Sequence, residues 1–401
     1  MTDPRGLGRA YLDHASTTPL RPEALAALVA TLGSVGDPGR IHAEGLAARV
    51  AVEAARDQVA ELLGARNREV VFTSGATESI AAACWGAAAR AADDAPGTPG
   101  ASGTASTATH QVVTAVEHSA VRLAAARQGE VTSVPVAADG RVDPAAVVAA
   151  LRPETVLVHV QWGNHEVGTI QPVADVVAAC RDRGVPVHVD AAQAAGRVKI
   201  DFRALGADLL SVSGHKLGGP GGVGALLVRR GLRLAPLLVG GDQERARRAG
   251  AENLAGIAGF GAACAALAEP GRLAAEAAEQ RRLTRRVIDG VLALGGLTLY
   301  GPPPAPGTGD DRRLPHLACF GVEGIEPQAV LLGLDRAGVA AHSGSACSSE
   351  SLEPSPVLEA MGVDAHHSLR VSVGWPTTDA DVDHLLAALP GVLADLRALA
   401  R

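Results

Sequence analysis

The residues with the most chemistry to offer lie in Ser211-Val-Ser-Gly-His-Lys-Leu-Gly-Gly-Pro-Gly-Gly-Val-Gly224. Lys216 sits just past a strand-like run, beside His215, among glycines whose backbone can approach an anion closely. Of the 36 Lys+Arg residues, only Lys199 and Lys216 are lysines. A chain that uses arginine wherever a generic positive charge serves has kept a lysine here. Lysine, unlike arginine, can lose its proton and act as base, nucleophile or imine former. Taken alone, Lys216 could equally be a solvated charge in a glycine turn, and Lys199, in Arg197-Val-Lys-Ile200, reads that way. The glycines are not a dinucleotide fingerprint, because Ala225-Leu-Leu-Val-Arg229 after them reads as strand, and no GxxxxGK[ST] loop is present.

Two further elements converge with Lys216. His188-Val-Asp-Ala-Ala-Gln193 places Asp190 at the C-terminal end of a buried strand, where α/β sheets present ligand-binding groups. A carboxylate there is either a satisfied core group or the partner that keeps a pyridinium nitrogen protonated so that the ring can act as an electron sink. Thr73-Ser-Gly-Ala-Thr-Glu78 is a tight turn leading into a helix, whose free N–H groups suit a phosphate, although an ordinary helix cap reads the same way. Together they are three anchors for a phosphate-bearing aromatic cofactor.

Positioning these groups requires a sheet with flanking helices. Helical spacing runs from Arg40 to Leu63, from Thr77 to Ala92, from Val173 to Arg183 and from Leu273 to Leu294. Short β-branched runs mark strands at 69–73, 112–116, 156–160, 187–190, 209–212 and 224–228. Strand and helix in alternation predict an α/β unit with a mostly parallel sheet. At 401 residues the chain is long enough for two to three units of roughly 150 residues. The expected division is a large unit over 16–262 and a smaller α+β unit made of 1–15 and 263–401. The stretch 93–111 reads as a Gly/Ser/Thr/Pro-rich surface insertion, and 301–313 as a loop.

Composition excludes other classes. The formal net charge of −7 provides no basic field for nucleic acid. No apolar run approaches the length of a membrane span, and the opening Met1-Thr2-Asp3-Pro4-Arg5 has no signal-peptide core, so a cytoplasmic protein without membrane contact is expected. The five cysteines lack metal-site spacing, His366 and His367 have no partners at such spacing, and no metal is expected. Cys264 lies among Ala and Leu and reads as core, whereas Cys347 lies among small polar residues, as an accessible thiol requires.

The ordered set Tyr11-Leu-Asp-His-Ala-Ser-Thr-Thr-Pro19, Phe72-Thr-Ser-Gly-Ala-Thr-Glu78, Glu117-His118, His188-Val-Asp-Ala-Ala-Gln193, Ser213-Gly-His-Lys216 and Ser343-Gly-Ser-Ala-Cys347 closely resembles the cysteine desulfurases, from residue 11 to about 385. The resemblance implies the fold-type-I pyridoxal-phosphate architecture: a large domain with a mostly parallel seven-stranded sheet between helices, plus a smaller α+β domain. It implies Lys216 as the lysine that binds the cofactor covalently and His118 as the ring stacked on it, able to shuttle a proton. Asp190 would hold the pyridine nitrogen and Gln193 the phenolic oxygen, while Ala76, Thr77, Ser213 and His215 would hold the phosphate. His165 would also contact the cofactor. Asn164 and Arg370 would bind the substrate, Arg370 through its carboxylate, and Cys347 would capture sulfur as a persulfide. L-cysteine would yield L-alanine in a homodimer, and sulfur would pass to an acceptor protein. The short Ser-Gly-Ser-Ala-Cys form resembles the housekeeping and nitrogen-fixation branch of the family; an acceptor in iron–sulfur cluster assembly, tRNA thiolation, DNA phosphorothioation or a thio-metabolite pathway stays open. Another reaction on the same fold, such as selenocysteine or cystine lysis or transamination, needs no Cys347, and a sulfur-relay scaffold needs no Lys216.

Three positions depart from the family pattern. His165 stands where Asn is usual, Ala251 in Arg248-Ala-Gly-Ala251 stands where a Thr usually reaches the partner subunit's phosphate, and Asp37 replaces Asn. Ala251 reads as drift, since one neutral hydrogen bond contributes only about 0.5–1.5 kcal/mol. His165, placed at the substrate carboxylate, could alter substrate or partner choice.

Overall fold

The computed structural model describes residues 8–93, 109–304, 312–344 and 354–399. Cys347 and nearly all of the 93–111 insertion therefore lie outside the described residues. Seven strands form one sheet in the order Val70–Thr73, Gly224–Val228, Leu209–Ser213, Val187–Asp190, Thr155–Gln161, His110–Thr114, Glu130–Val134. Only Gly224–Val228 runs antiparallel to its neighbours. The central strands are buried throughout, which is why Val187–Asp190 and Leu209–Ser213 read as continuous apolar runs rather than alternating ones.

Helix Ala43–Leu63 begins at His42, whose ring accepts the Gly45 N–H at 3.1 Å, and stops at Gly64 in the left-handed region. Its buried stripe of Val52, Ala55, Val59 and Leu63 packs against Leu254–Ala268. The two helices meet at Gly261, where a Cβ would stand 2.6 Å from Ala55 Cα, so only glycine permits that approach. Cys264 and Phe260 from the same helix join the large core around the sheet.

A second buried cluster unites Ala10 and Leu12 with Leu283, Val287, Phe320, Val371 and Leu385. It lies under a three-stranded antiparallel sheet, Ser368–Ser372, Leu317–Val322 and Leu297–Tyr300, and against helices Arg272–Leu292 and Asp379–Leu399. Ala10–Tyr11 pairs in parallel with Val339–Ala340, which fastens the start of the chain to this cluster.

Several expected boundaries move. The strand expected over 112–116 is His110–Thr114, because the chain turns at Glu117, whose N–H donates to Thr114 O at 3.1 Å. Glu130–Val134 gives little sequence signal because it is an edge strand with largely solvent-facing side chains. Leu297–Tyr300, half-exposed and four residues long, is equally faint. Among the described residues no single helix is long and apolar enough to cross a membrane, and no three His, Cys, Asp or Glu residues group as a metal site.

Candidate active site

The C-terminal ends of the parallel strands open onto a cavity of about 410 Å³. Its wall brings together Ala76, Thr77, His118, His165, Asp190, Gln193, Ser213, His215, Lys216 and Arg370, residues drawn from positions nearly 300 apart in the chain. Asn164 is the exception among the described candidates. It is fully buried and off the cavity wall: its Oδ1 accepts the N–H groups of Glu166 and Val167 at 2.9 and 2.8 Å, and its Nδ2 donates to Val116 O at 3.2 Å. Those bonds close the turn that points the next residue, His165, into the cavity.

Lys216 follows the strand Leu209–Ser213 in a single 3₁₀ turn, Gly214–Lys216. Its Nζ donates to the carbonyl of Ala15, which also accepts Gln193 Nε2 at 2.7 Å. Burial, and then the nearby Arg370 guanidinium, push the amine down to about 8, so a usable fraction is neutral near physiological pH. Asp190 is buried, with Oδ1 held by the Ala192 N–H at 3.0 Å, and desolvation pushes its carboxyl above the ordinary range. A cationic ring nitrogen at this strand end would offset that burial.

His118 caps helix Ser119–Ala126, its Nδ1 accepting the Ala120 N–H at 3.1 Å. A backbone N–H can only donate, so the neutral ring carries its proton on Nε2. Burial, with His165, Lys216 and Arg122 as like-charge neighbours, lowers it to about 3. The His165 ring meets His118 edge-to-face, with centroids 5.0 Å apart and planes at 72°, and its Nε2 lies 3.5 Å from Glu166 Oε1.

Arg370, on the strand Ser368–Ser372, is 2% exposed. Nη1 donates to His165 O at 2.8 Å, and Nη2 donates to Asp13 Oδ1 and Ser16 Oγ, both at 2.9 Å. Its Nε is buried without a partner among the described residues, and the guanidinium lies on the cavity wall. At the other end, helix Ala76–Asp93 presents its first N–H groups beside Ser213, a ready anion site. The loop before it lies against Gly224, where a Cβ would be 2.7 Å from Gly75 Cα.

A phosphate at the helix terminus, an aromatic nitrogen over Asp190 and a carbonyl carbon at Lys216 fit this cavity together, so the residues present suit pyridoxal phosphate. The aminotransferase class-V family model matches residues 10–385. The IscS-like cysteine desulfurase of Mycobacterium tuberculosis is 41% identical over 399 residues, covering 97% of each chain. The chain belongs to the pyridoxal-phosphate-dependent cysteine desulfurases. A solved NifS-like protein superposes with a TM-score of 0.84 at 29% identity, covering 97% of this chain and 100% of that one. A structure described as SspA in complex with cysteine superposes with a TM-score of 0.75 at 27% identity, covering 92% and 100%.

Among the polar wall residues that sequence reasoning gave no role are Ser16, Gln161 and His342. Ser16 and His342 sit inside or beside motifs already singled out, and Gln161 ends a strand next to Asp190. His342 accepts the Gly344 N–H at 2.9 Å, and its backbone pairs with Arg370 on the neighbouring strand. Of the departures, Ala251 is exposed and off the cavity wall, and Asp37 caps its own loop through the Gly39 N–H at 2.8 Å. Only His165 reaches the site. Lys199 is exposed, as a generic charge would be.

Proposed function

We propose that this cavity converts L-cysteine to L-alanine, with the sulfur captured as a persulfide on Cys347 and then passed to an acceptor. The observation that carries the reading is the convergence of Lys216, Asp190 and the Ala76–Asp93 helix terminus on one cavity that also contains Arg370. When bound, pyridoxal phosphate supplies an electron sink that weakens the bonds at the amino acid's Cα and its Cβ–S bond. The backbone N–H groups of Ala76 and Thr77, with Ser213 and His215, would hold the phosphate, Asp190 the ring nitrogen and Gln193 the phenolic oxygen, with His118 and His165 beside the ring.

The Arg370 guanidinium, on the cavity wall, receives the substrate carboxylate and orients Cα toward Lys216. Neutral Lys216 takes the Cα proton, and its depressed pKa makes that form available. The Cys347 thiolate bonds to the substrate sulfur as the Cβ–S bond breaks, and its electron pair ends as a C–H bond at the alanine methyl. Overall, cysteine and a thiol become alanine and a persulfide, with atoms and electrons balanced. His118, neutral with its proton on Nε2, is the donor within the cavity. Gly344, three residues before Cys347, stands beside Arg370, with an ideal Cβ 3.7 Å from Arg370 Cβ.

The exposed apolar residues Leu25, Val29 and Leu32 on one helix, with Leu46 and Val50 on the next, support a homodimer. We take 16–262 as the cofactor-binding unit, with 1–15 and 263–401 as the unit carrying the Cys347 segment. A cytoplasmic setting suits chemistry that needs a reduced thiol.

The test is to incubate the parent, Lys216→Ala and Cys347→Ser with L-cysteine and a reductant, then assay alanine and sulfide. Both variants should lose turnover. Cys347→Ser releasing both products at the parent rate would overturn the persulfide route, and selenocysteine as the better substrate would point to a lyase.

A further inference from the structure

Arg197 is a buried cation that the reaction described above does not use. It is 2% exposed and follows the Asp190 strand by one turn. Nη2 donates to the main-chain carbonyl of Lys216 at 3.2 Å and to Thr18 Oγ1 at 3.4 Å, while Nη1 is buried without a partner among the described residues. No described carboxylate pairs with it. The acid whose field reaches it, Glu276, is gripped through both oxygens by Arg21 at 2.7 and 2.6 Å.

An unpaired buried guanidinium is strongly unfavourable for folding, so its retention calls for a local reason. Its main-chain partner is the reactive lysine. Lys216 is thus held at its carbonyl by Arg197 and at its amine by Ala15 O. Around that amine stand the cations Arg370 and Arg197, the carboxylates Asp13 and Asp190, and the imidazoles His118, His215, His316 and His342. Arg370 is neutralised directly by Asp13 at 2.9 Å, whereas no carboxylate among the described residues pairs directly with Arg197.

We propose that Arg197 is a positioning residue for Lys216: bonded to its main-chain carbonyl and without a counter-ion among the described residues, its guanidinium fixes the lysine's main chain and maintains a positive field that disfavours a second charge on Nζ. This rests on Lys216 being the reactive amine. At pH 7, lowering a lysine from 10.5 to about 8 raises its neutral fraction roughly 300-fold. Arg197 supplies part of that shift, beside burial and Arg370.

The scarcity of lysine makes the test direct. Trace acetylation of the cofactor-free full chain with acetic anhydride across pH 6–11, read by mass spectrometry, follows the Lys216 peptide with the Lys199 peptide as internal reference. The parent should show a Lys216 midpoint near 8. Arg197→Met should raise it by about half a unit or more, and Arg197→Lys, which keeps the charge, should restore the parent value. In the holoenzyme the same order should appear in the pH titration of the cofactor's absorbance. In turnover, kcat at pH 7 should fall about threefold or more with KM for L-cysteine little changed. If Arg197→Met does not fold, Arg197→Gln replaces it. A neutral variant with the parent's midpoint overturns the proposal, as does an Arg197→Lys midpoint that follows the neutral variant. Acetylation reads the amine whether or not cysteine turns over, so failure here is distinguishable from failure of the desulfurase reading.

Discussion

Gly224→Ala tests whether the anion-binding turn depends on backbone proximity. Gly224 pairs with Thr73 on one side and Ser213 on the other, so it lies in the sheet directly behind the Ser74–Gly75 turn. A Cβ there would stand 2.5 Å from Val212 O and 2.7 Å from Gly75 Cα. Both neighbours are backbone, so no rotamer change relieves the overlap, and reaching about 3.4 Å requires a shift of roughly 0.7–0.9 Å. The Gly224 strand must draw back from Val212 O and the turn from the new Cβ, and the turn carries the Ala76 and Thr77 N–H groups with it. Hydrogen bonds to a charged group contribute about 1.5–3 kcal/mol each, and a shift of this size forfeits roughly half of two of them. The expected loss is about 2 kcal/mol, or roughly 30-fold weaker pyridoxal phosphate binding. Titrating the cofactor-free protein with pyridoxal phosphate by absorbance measures it. Gly221→Ala, where an added Cβ meets nothing within 4 Å, is the control and should bind as the parent does. Gly224→Ala with affinity within about threefold of the parent would refute the reasoning.

Glu244→Gln removes the carboxylate that holds Arg56 at 2.6 and 2.8 Å and accepts the Phe72 N–H at 2.8 Å, all buried. It should destabilise the fold by about 3 kcal/mol in urea unfolding, and a loss under about 1 would contradict the pair's importance. His165→Asn deletes the edge-on contact with His118, worth about 1 kcal/mol, so kcat/KM for L-cysteine should drop about fivefold. An unchanged value would assign the departure to drift. Stability of the cofactor-free chain should peak near pH 6.5. His188, pushed by burial to about 3, is outcompeted for protons by its unfolded form below about 6.5, and His14 and His118 act likewise. Each such group removes about 1.4 kcal/mol per pH unit as pH falls. Glu117, raised by burial to about 8, has the opposite sign: its contribution is complete below about 4.5 and is lost as pH rises through 8. The buried histidines, His159, His215 and His316 acting in the same direction, therefore dominate the acid side and Glu117 the basic side. Urea midpoints at pH 5, 6.5 and 8 that rise monotonically would contradict this balance.

Lys216 and Asp190 were legible in the sequence because each follows an apolar run short enough to be a buried strand, and the ends of such strands face a common crevice. Asn164 and His165 show where that reasoning stops. Adjacent polar residues in a turn point in different directions, and the direction depends on backbone partners two and three residues onward. Here Asn164 faces the N–H groups of Glu166 and Val167, so the neighbour takes the cavity position. Edge strands escaped for a related reason: Glu130–Val134 presents side chains to solvent and owes its place to parallel hydrogen bonds with His110–Thr114, which leave no mark on composition.

The placement of charge in the cavity fixes how a ligand must lie. One end offers backbone N–H groups at the Ala76–Asp93 helix terminus, the other the Arg370 guanidinium, and between them Asp190 supplies negative charge. A phosphate is stabilised only at the helix end, because near Asp190 it would meet a like charge in a poorly solvated site. A substrate carboxylate is excluded from Asp190 by the same repulsion and drawn to Arg370, where Asp13 offsets part of the attraction. A cation is repelled from Arg370 and satisfied at Asp190. Each of the three charges a cofactor–amino acid pair carries thus has one favourable place, and Lys216 stands where the pair's reacting carbons must then fall. Orientation follows from fixed charges on two different strands and a helix, so it survives the loss of any single neutral contact.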